Sequence, residues 1–189
     1  MQLRRHVLTR WSAWGVALAL PAVGCTAQPT AGAPPPVFNA TDSAWILLMI
    51  PMADRARLLT DLAPSRTTDP ALAAFSADTA SALRADLRRL RAVLKLSGVP
   101  DTHPHEGHDM PGMVSLDTLR KAADANGQAF DRILIEALSA HLAQSGTLCA
   151  GERARGRADQ AKDLAAAIAK SAAVRASRLE ELRADQPRV

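Results

Sequence analysis

DPALAAFSADTASALRADLRRLRAVLKLSG, residues 69–98, decides the fold. Asp69 offers a helix-capping carboxylate, Pro70 suits the first helical position because its missing N–H is not needed there, and Gly98 closes the pattern. Between them Leu72, Phe75, Thr79, Leu83, Leu87, Leu90 and Leu94 follow at gaps of three and four residues, which places them on one face of a long α-helix ending near Ser97. Upstream, Thr41-Asp42-Ser43 offers an N-cap, and the apolar run Ala44 to Leu62 reads as a helix interrupted by Pro51, with a loop from Pro64 to Thr68.

Downstream, the periodicity disappears from Val99 to Val114. Ser115 then caps a short helix through Asn126, with Gly127 as its stop. Phe130 to Leu148 forms the next helix, since Phe130, Ile133, Leu134, Ala137, Leu138, His141 and Leu142 share a face. After a loop near Gly151 to Gly156, residues Ala158 to Ala184 make the last long helix, with Leu164, Ile168, Leu179 and Leu182 on its stripe. The 39 alanines and 24 leucines, against 9 valines, 5 isoleucines and no tyrosine, favour helices over sheets. The expected fold is all-α, a helical bundle over residues 39–185. Its two halves echo each other, each an apolar helix opening on an aromatic residue (Trp45 or Phe130), then a long helix rich in Ala and Arg.

The first 24 residues read as an export signal: Arg4, Arg5 and Arg10 form a basic start, and Trp11 to Val23 is an apolar run too short for a membrane span. Arg4-Arg5 also resembles a twin-arginine signal. Ala22-Val23-Gly24-Cys25 resembles a bacterial lipobox, which makes Cys25 the expected lipidation site. The following Pro/Ala/Gly/Thr-rich stretch, within residues 25–38, then reads as a flexible tether. If Cys25 is acylated, Cys149 is a free thiol with apolar neighbours; if not, the two could pair in an oxidising compartment. Without the three signal arginines, 20 basic side chains face 19 acidic ones, a balance that argues against nucleic-acid binding.

The chemistry concentrates in residues 99–114. His103, His105 and His108 fall within six positions, followed by Met110 and Met113, and imidazole with thioether selects soft ions such as Cu(I). Asp101, Glu106 and Asp109 could orient the histidine N–H groups. The ordinary alternative is a polar Pro/Gly linker. No phosphate loop, nucleophile elbow or pair of Glu-x-x-His motifs is present, and His105 and His108 are three apart where a zincin needs four, so the expectation is not an enzyme.

His105-Glu106-Gly107-His108-Asp109-Met110-Pro111-Gly112-Met113, with Asn126-Gly127-Gln128-Ala129-Phe130-Asp131-Arg132 after it, resembles the central signature of the bacterial family called domain of unknown function 305. The resemblance spans roughly residues 39–184. It implies a ferritin-like bundle of two similar halves and an exported, non-enzymatic, copper-related role, as in the family's CopM-type copper-binding proteins. The family opens each half with a Met-Ile-Pro-His-His type motif. Here Met49-Ile50-Pro51 is followed by Met52 and Ala53, and the second half carries His141 and Leu142. The Gln and Glu implied on the following long helices are Ala80 and Leu83, then Ala172 and Arg175, so this copy reads as degenerate.

His141 then reads either as a core histidine or, with Met49 and Met52, as part of a sparse metal site. Arg175 either snorkels outward or pairs with an acid such as Glu136. The expected function is extracytoplasmic metal handling, with copper or silver held by His103, His105, His108, Met110 and Met113, and His141 as a further ligand. The alternative is a metal-free structural or partner-binding bundle of the cell envelope.

Overall fold

The computed structural model describes residues 37–105 and 107–185. The signal segment, Cys25, most of the tether and Glu106 lie outside the described residues. Among the described residues five helices follow in order: α1 Ala40–Arg66, α2 Pro70–Ser97, α3 Leu116–Asp124, α4 Gly127–Arg155 and α5 Asp159–Ala184. The short α1–α2 and α4–α5 turns make two antiparallel hairpins. α1 packs on α4 and α2 on α5, which closes a four-helix bundle, and α3 lies against α1 and α4. None of the described helices is long and apolar enough to cross a membrane.

The α2 stripe is the one its spacing dictates: Leu72, Phe75, Thr79, Leu83, Leu87, Leu90 and Leu94 are all buried. Asp69 caps it through Ala71 N (2.8 Å) and Leu72 N (3.2 Å), and Gly98 closes it in the left-handed conformation. Facing it across the core are Ile46, Leu59, Leu134, Leu138 and Leu179, all essentially inaccessible. At about 25 cal/mol per Å² of apolar surface removed from water, each such side chain contributes roughly 2 kcal/mol.

Several boundaries differ from the sequence expectation, for identifiable reasons. α1 begins at Ala40 because Asn39 forms a capping box with Asp42, and it runs through both Pro51 and Pro64 to Arg66. Each proline removes one backbone hydrogen bond, but Ala53, Ala56, Leu59 and Ala63 keep burying the same side of the helix. Asn126 and Gly127 do not stop α3; they start α4. α4 continues past Gly151 to Arg155 because its final turns bury Cys149 and Glu152. Phe38, placed in the tether, packs against the core.

Candidate functional site: the central loop and the bundle interior

The segment between α2 and α3 is fastened to the bundle at two places. Arg55, on the inner side of α1 and buried, points one guanidinium nitrogen at the loop. It donates to the carbonyl of His108 (3.1 Å), to Asp109 Oδ1 (3.4 Å) and, more distantly, to the carbonyl of Val114 (3.5 Å). Gly112 is the second fastening. It has φ +73°, and a Cβ there would overlap the side chain of Gln144 and sit 2.9 Å from the Ala140 carbonyl, so only glycine lets the loop lie on α4.

Held this way, the loop places His105 and His108 together, with ring centroids 6.5 Å apart and planes inclined by 64°. The His108 N–H donates to the His105 carbonyl (3.4 Å) and the Met113 N–H to the Met110 carbonyl (2.9 Å), so two tight turns shape the segment. His108 is exposed; His105 and Met110 are half-buried. His103 is exposed and in a left-handed conformation (φ +50°), its Nδ1 3.4 Å from Asp101. Met113 turns inward, 7% exposed, into a recess shared with Ile133, Glu136 and Ala137. The five loop residues therefore divide: a His105–His108 pair with Met110 close in sequence, a His103 beside Asp101 and a buried Met113. Among the described residues no three His, Cys, Asp or Glu side chains converge as a metal cluster.

His141 belongs to the interior. It is 2% exposed, and burial pushes its pKa down to about 4, with the Gly112 backbone partly offsetting the shift, so the ring is neutral near pH 7. The Ser145 hydroxyl stands 3.5 Å from its Nε2. The ring borders a cavity of about 30 Å³, enough for a water molecule, together with Met49, Ala53, Leu83, Ala172 and Arg175. Met49 and His141 are thus brought to one cavity. Met52, equally buried, and Ala80 do not line it.

Arg175 is half-buried, bordering both the interior cavity and an open groove between α2 and α5, and does not meet Glu136, which lies at the recess beneath the loop. Its guanidinium is hooked to the carbonyl and hydroxyl of Ser171 on its own helix and faces Asp86 of α2. Burial raises the Asp86 pKa, while the cations of Arg89 and Arg175 act against the rise. At the positions where the resemblance implies polar ligands, Leu83 and Ala172 therefore present apolar walls and Arg175 a cation.

The family model for a domain of unknown function, DUF305, matches residues 42–183. The chain belongs to the DUF305 family. Two solved DUF305 structures share its fold. The protein of Streptomyces coelicolor, which is taken to be secreted, superposes with a TM-score of 0.69 at 18% identity, covering 77% of this chain and 93% of that one. A DUF305 fragment from Deinococcus radiodurans gives 0.68 at 14% identity, with 77% and 96% covered. No curated protein matches by sequence.

This DUF305 bundle carries a third group of ionisable residues that the sequence did not single out, where the start of α1 meets the α4–α5 turn. Asp42 is inaccessible, and its Oδ1 accepts from Arg157 N (2.9 Å) and Ala158 N (3.1 Å) while Oδ2 accepts from Asn39 N (2.5 Å). Glu152, 1% exposed, faces it. Its carboxyl lies over Gly156, where a Cβ would collide with it. Burial first, then the Asp42 carboxylate, push Glu152 up to about 8, so it holds a proton at neutral pH. Asp42 moves the other way: burial acts to raise it, but the N–H groups of Asn39, Ala158 and Arg157 and the Glu152 proton together lower it. Cys149, one turn earlier, is a free buried thiol pushed up to about 12 by burial, which makes it unreactive.

Proposed function

We propose that this DUF305 protein is an extracytoplasmic metal-handling protein that takes Cu(I) or Ag(I) on the His105–His108 pair of its central loop. The supporting observation is the spacing of those rings on an anchored, accessible segment. An ion bonded at about 2 Å to one nitrogen of each ring would hold the centroids roughly 5 to 6.5 Å apart, and they stand 6.5 Å apart. Met110 follows two residues later and is half-exposed, available as a thioether ligand of the kind Cu(I) favours. Met113, turned inward, acts as packing. Copper or silver is cargo in this reading, and no reaction is assigned to the protein.

Export through residues 1–24 and tethering through Cys25 place the loop where no cytosolic thiol pool competes for the ion. Fatty-acid labelling that is present in the native chain and absent in Cys25→Ala would support the anchor; no label in either would remove it. The test of the metal site is a competition titration of the protein with Cu(I), Ag(I) and Cu(II). Binding that weakens at least tenfold in His105→Ala/His108→Ala and is unchanged in Met113→Leu supports the proposal. Equal binding in the double variant, or none in the native chain, refutes it. The second reading, a metal-free envelope bundle that binds a partner, is favoured by the apolar walls at Leu83 and Ala172, and absent binding would move the assignment there.

A further inference from the structure

The chain N-terminal of Val37 joins the bundle at one end, and that end differs from the other in charge. Asn39 donates to the Arg155 carbonyl (2.9 Å) and Asp42 accepts from Arg157 N and Ala158 N, so the start of α1 lies on the α4–α5 turn. The antiparallel α1–α2 hairpin returns the last turns of α2 to the same end. Together these segments present Arg91, Lys95, Arg153, Arg155 and Arg157, all exposed, and the half-buried Lys162. Among the described residues none of these six enters an ion pair. In the opposite half of the bundle the cations are matched: Arg120 and Lys121 pair with Asp117, Arg178 with Glu181 and Arg183 with Glu180.

The carboxylates at this end do not cancel its cations. Asp101, Asp159 and Asp163 are exposed, Asp42 is turned inward onto the N–H groups of the turn, and Glu152 holds a proton at neutral pH. Six cations therefore face four negative charges, in a chain that is close to neutral once the signal arginines are set aside. Val37 and Leu96, each 67% exposed, add large apolar side chains to the same end. A soluble polyanion gains nothing from them, whereas a lipid boundary accommodates cations and apolar side chains together. Twelve residues separate Val37 from Cys25, so the anchor lies within about 43 Å of this end however they are arranged. The opposite end stands a further 27 residues of α1, about 40 Å, along the bundle. We propose that this end of the bundle rests on a membrane surface containing anionic phospholipid, with Lys95, Arg153, Arg155 and Arg157 against the headgroup phosphates. The guanidinium fork suits phosphate oxygens, and the contact gives the anchored bundle a fixed orientation. Its place in the cell rests on the export and Cys25 anchoring proposed above.

The test uses the chain from residue 26, which retains the whole core described here, from Phe38 to Leu182, and cannot be acylated at Cys25. Its cosedimentation is measured with vesicles of phosphatidylcholine alone and of phosphatidylcholine mixed with phosphatidylglycerol, at low and high salt. The expected result is binding to the anionic vesicles alone, reversed by salt. At about fivefold per cation near a charged surface, Arg153→Gln/Arg155→Gln/Arg157→Gln should bind at least tenfold more weakly. Arg120→Gln/Arg178→Gln/Arg183→Gln removes the same charge from the opposite half and should bind like the native chain. All six side chains are exposed, so both variants keep the fold, which circular dichroism checks. Equal binding to neutral vesicles, no vesicle binding, or the same loss in both triple variants would overturn the proposal. Capture by heparin without capture by anionic vesicles would also overturn it, in favour of a soluble polyanion. Fatty-acid labelling reads acylation separately, so a missing anchor and a missing surface contact are distinguishable.

Discussion

Replacing Glu152 by Gln isolates a buried proton. The native side chain has its pKa raised from 4.5 to about 8 by burial and by Asp42, with Lys162 acting weakly against the rise. Between those values the folded protein holds a proton that the unfolded chain has released, so the Glu152 contribution to stability falls as pH rises toward 8 and levels off above it. His141 is shifted the opposite way, from 6.5 to about 4, and its contribution grows with pH until about 6.5. The two slopes oppose each other at acid pH, and Cys149, whose thiol is held protonated to about 12, adds its own fall only above about pH 8, which leaves pH 6.5 to 8 as the window in which Glu152 acts with His141 and Cys149 silent. At about 1.4 kcal/mol per tenfold change in proton affinity, that window is worth about 2 kcal/mol. Urea unfolding at half-unit pH steps, followed by helical circular dichroism, should show this loss in the native protein. In Glu152→Gln, which keeps the shape and cannot ionise, the curve should be flat between pH 6.5 and 8. An equal loss in both proteins would refute the assignment of the proton to Glu152.

The interior histidine gives the complementary result: His141→Leu should resist acid unfolding between pH 6.5 and 4 better than the native chain, by up to about 3 kcal/mol, read from unfolding midpoints at each pH. Gly112→Ala should cost about 1–3 kcal/mol from its positive φ and the overlap with Gln144, measured by urea unfolding at pH 7. Arg55→Met should detach the loop while α1 stays folded, so proteolysis within residues 99–114 should accelerate with little change in helical signal.

What the sequence makes legible is what is local. The α2 stripe from Leu72 to Leu94 follows from spacing alone, and so do the Asp69 and Ser115 caps, because a helix face and a cap are decided within a few residues. The run of histidines before Met110 likewise announces itself. The errors fall where a distant partner overrides a local signal. Pro64 and Gly151 look like breaks, yet the burial of Ala63 and of Cys149 with Glu152 carries both helices on. The Asp42 partners at Arg157 and Ala158 lie 115 and 116 residues away, so its capping of the α4–α5 turn has no signature in its own neighbourhood. Arg55 gave one signal that could have been used: a lone cation among Met52, Ala53, Ala56 and Leu59 on a buried face. Composition groups Met113 with the ligands because it counts residues without direction, whereas the turn at Gly112 sends it inward.

The most direct test of loop-borne metal binding is a long-range proton–nitrogen spectrum of the histidine rings during titration with Ag(I), a diamagnetic stand-in for Cu(I). The account predicts that the His105 and His108 ring nitrogens move together and saturate at the same equivalence, while His141, sealed in the bundle, stays fixed. Movement of His141 without the loop pair, or no ring movement at all, would contradict it.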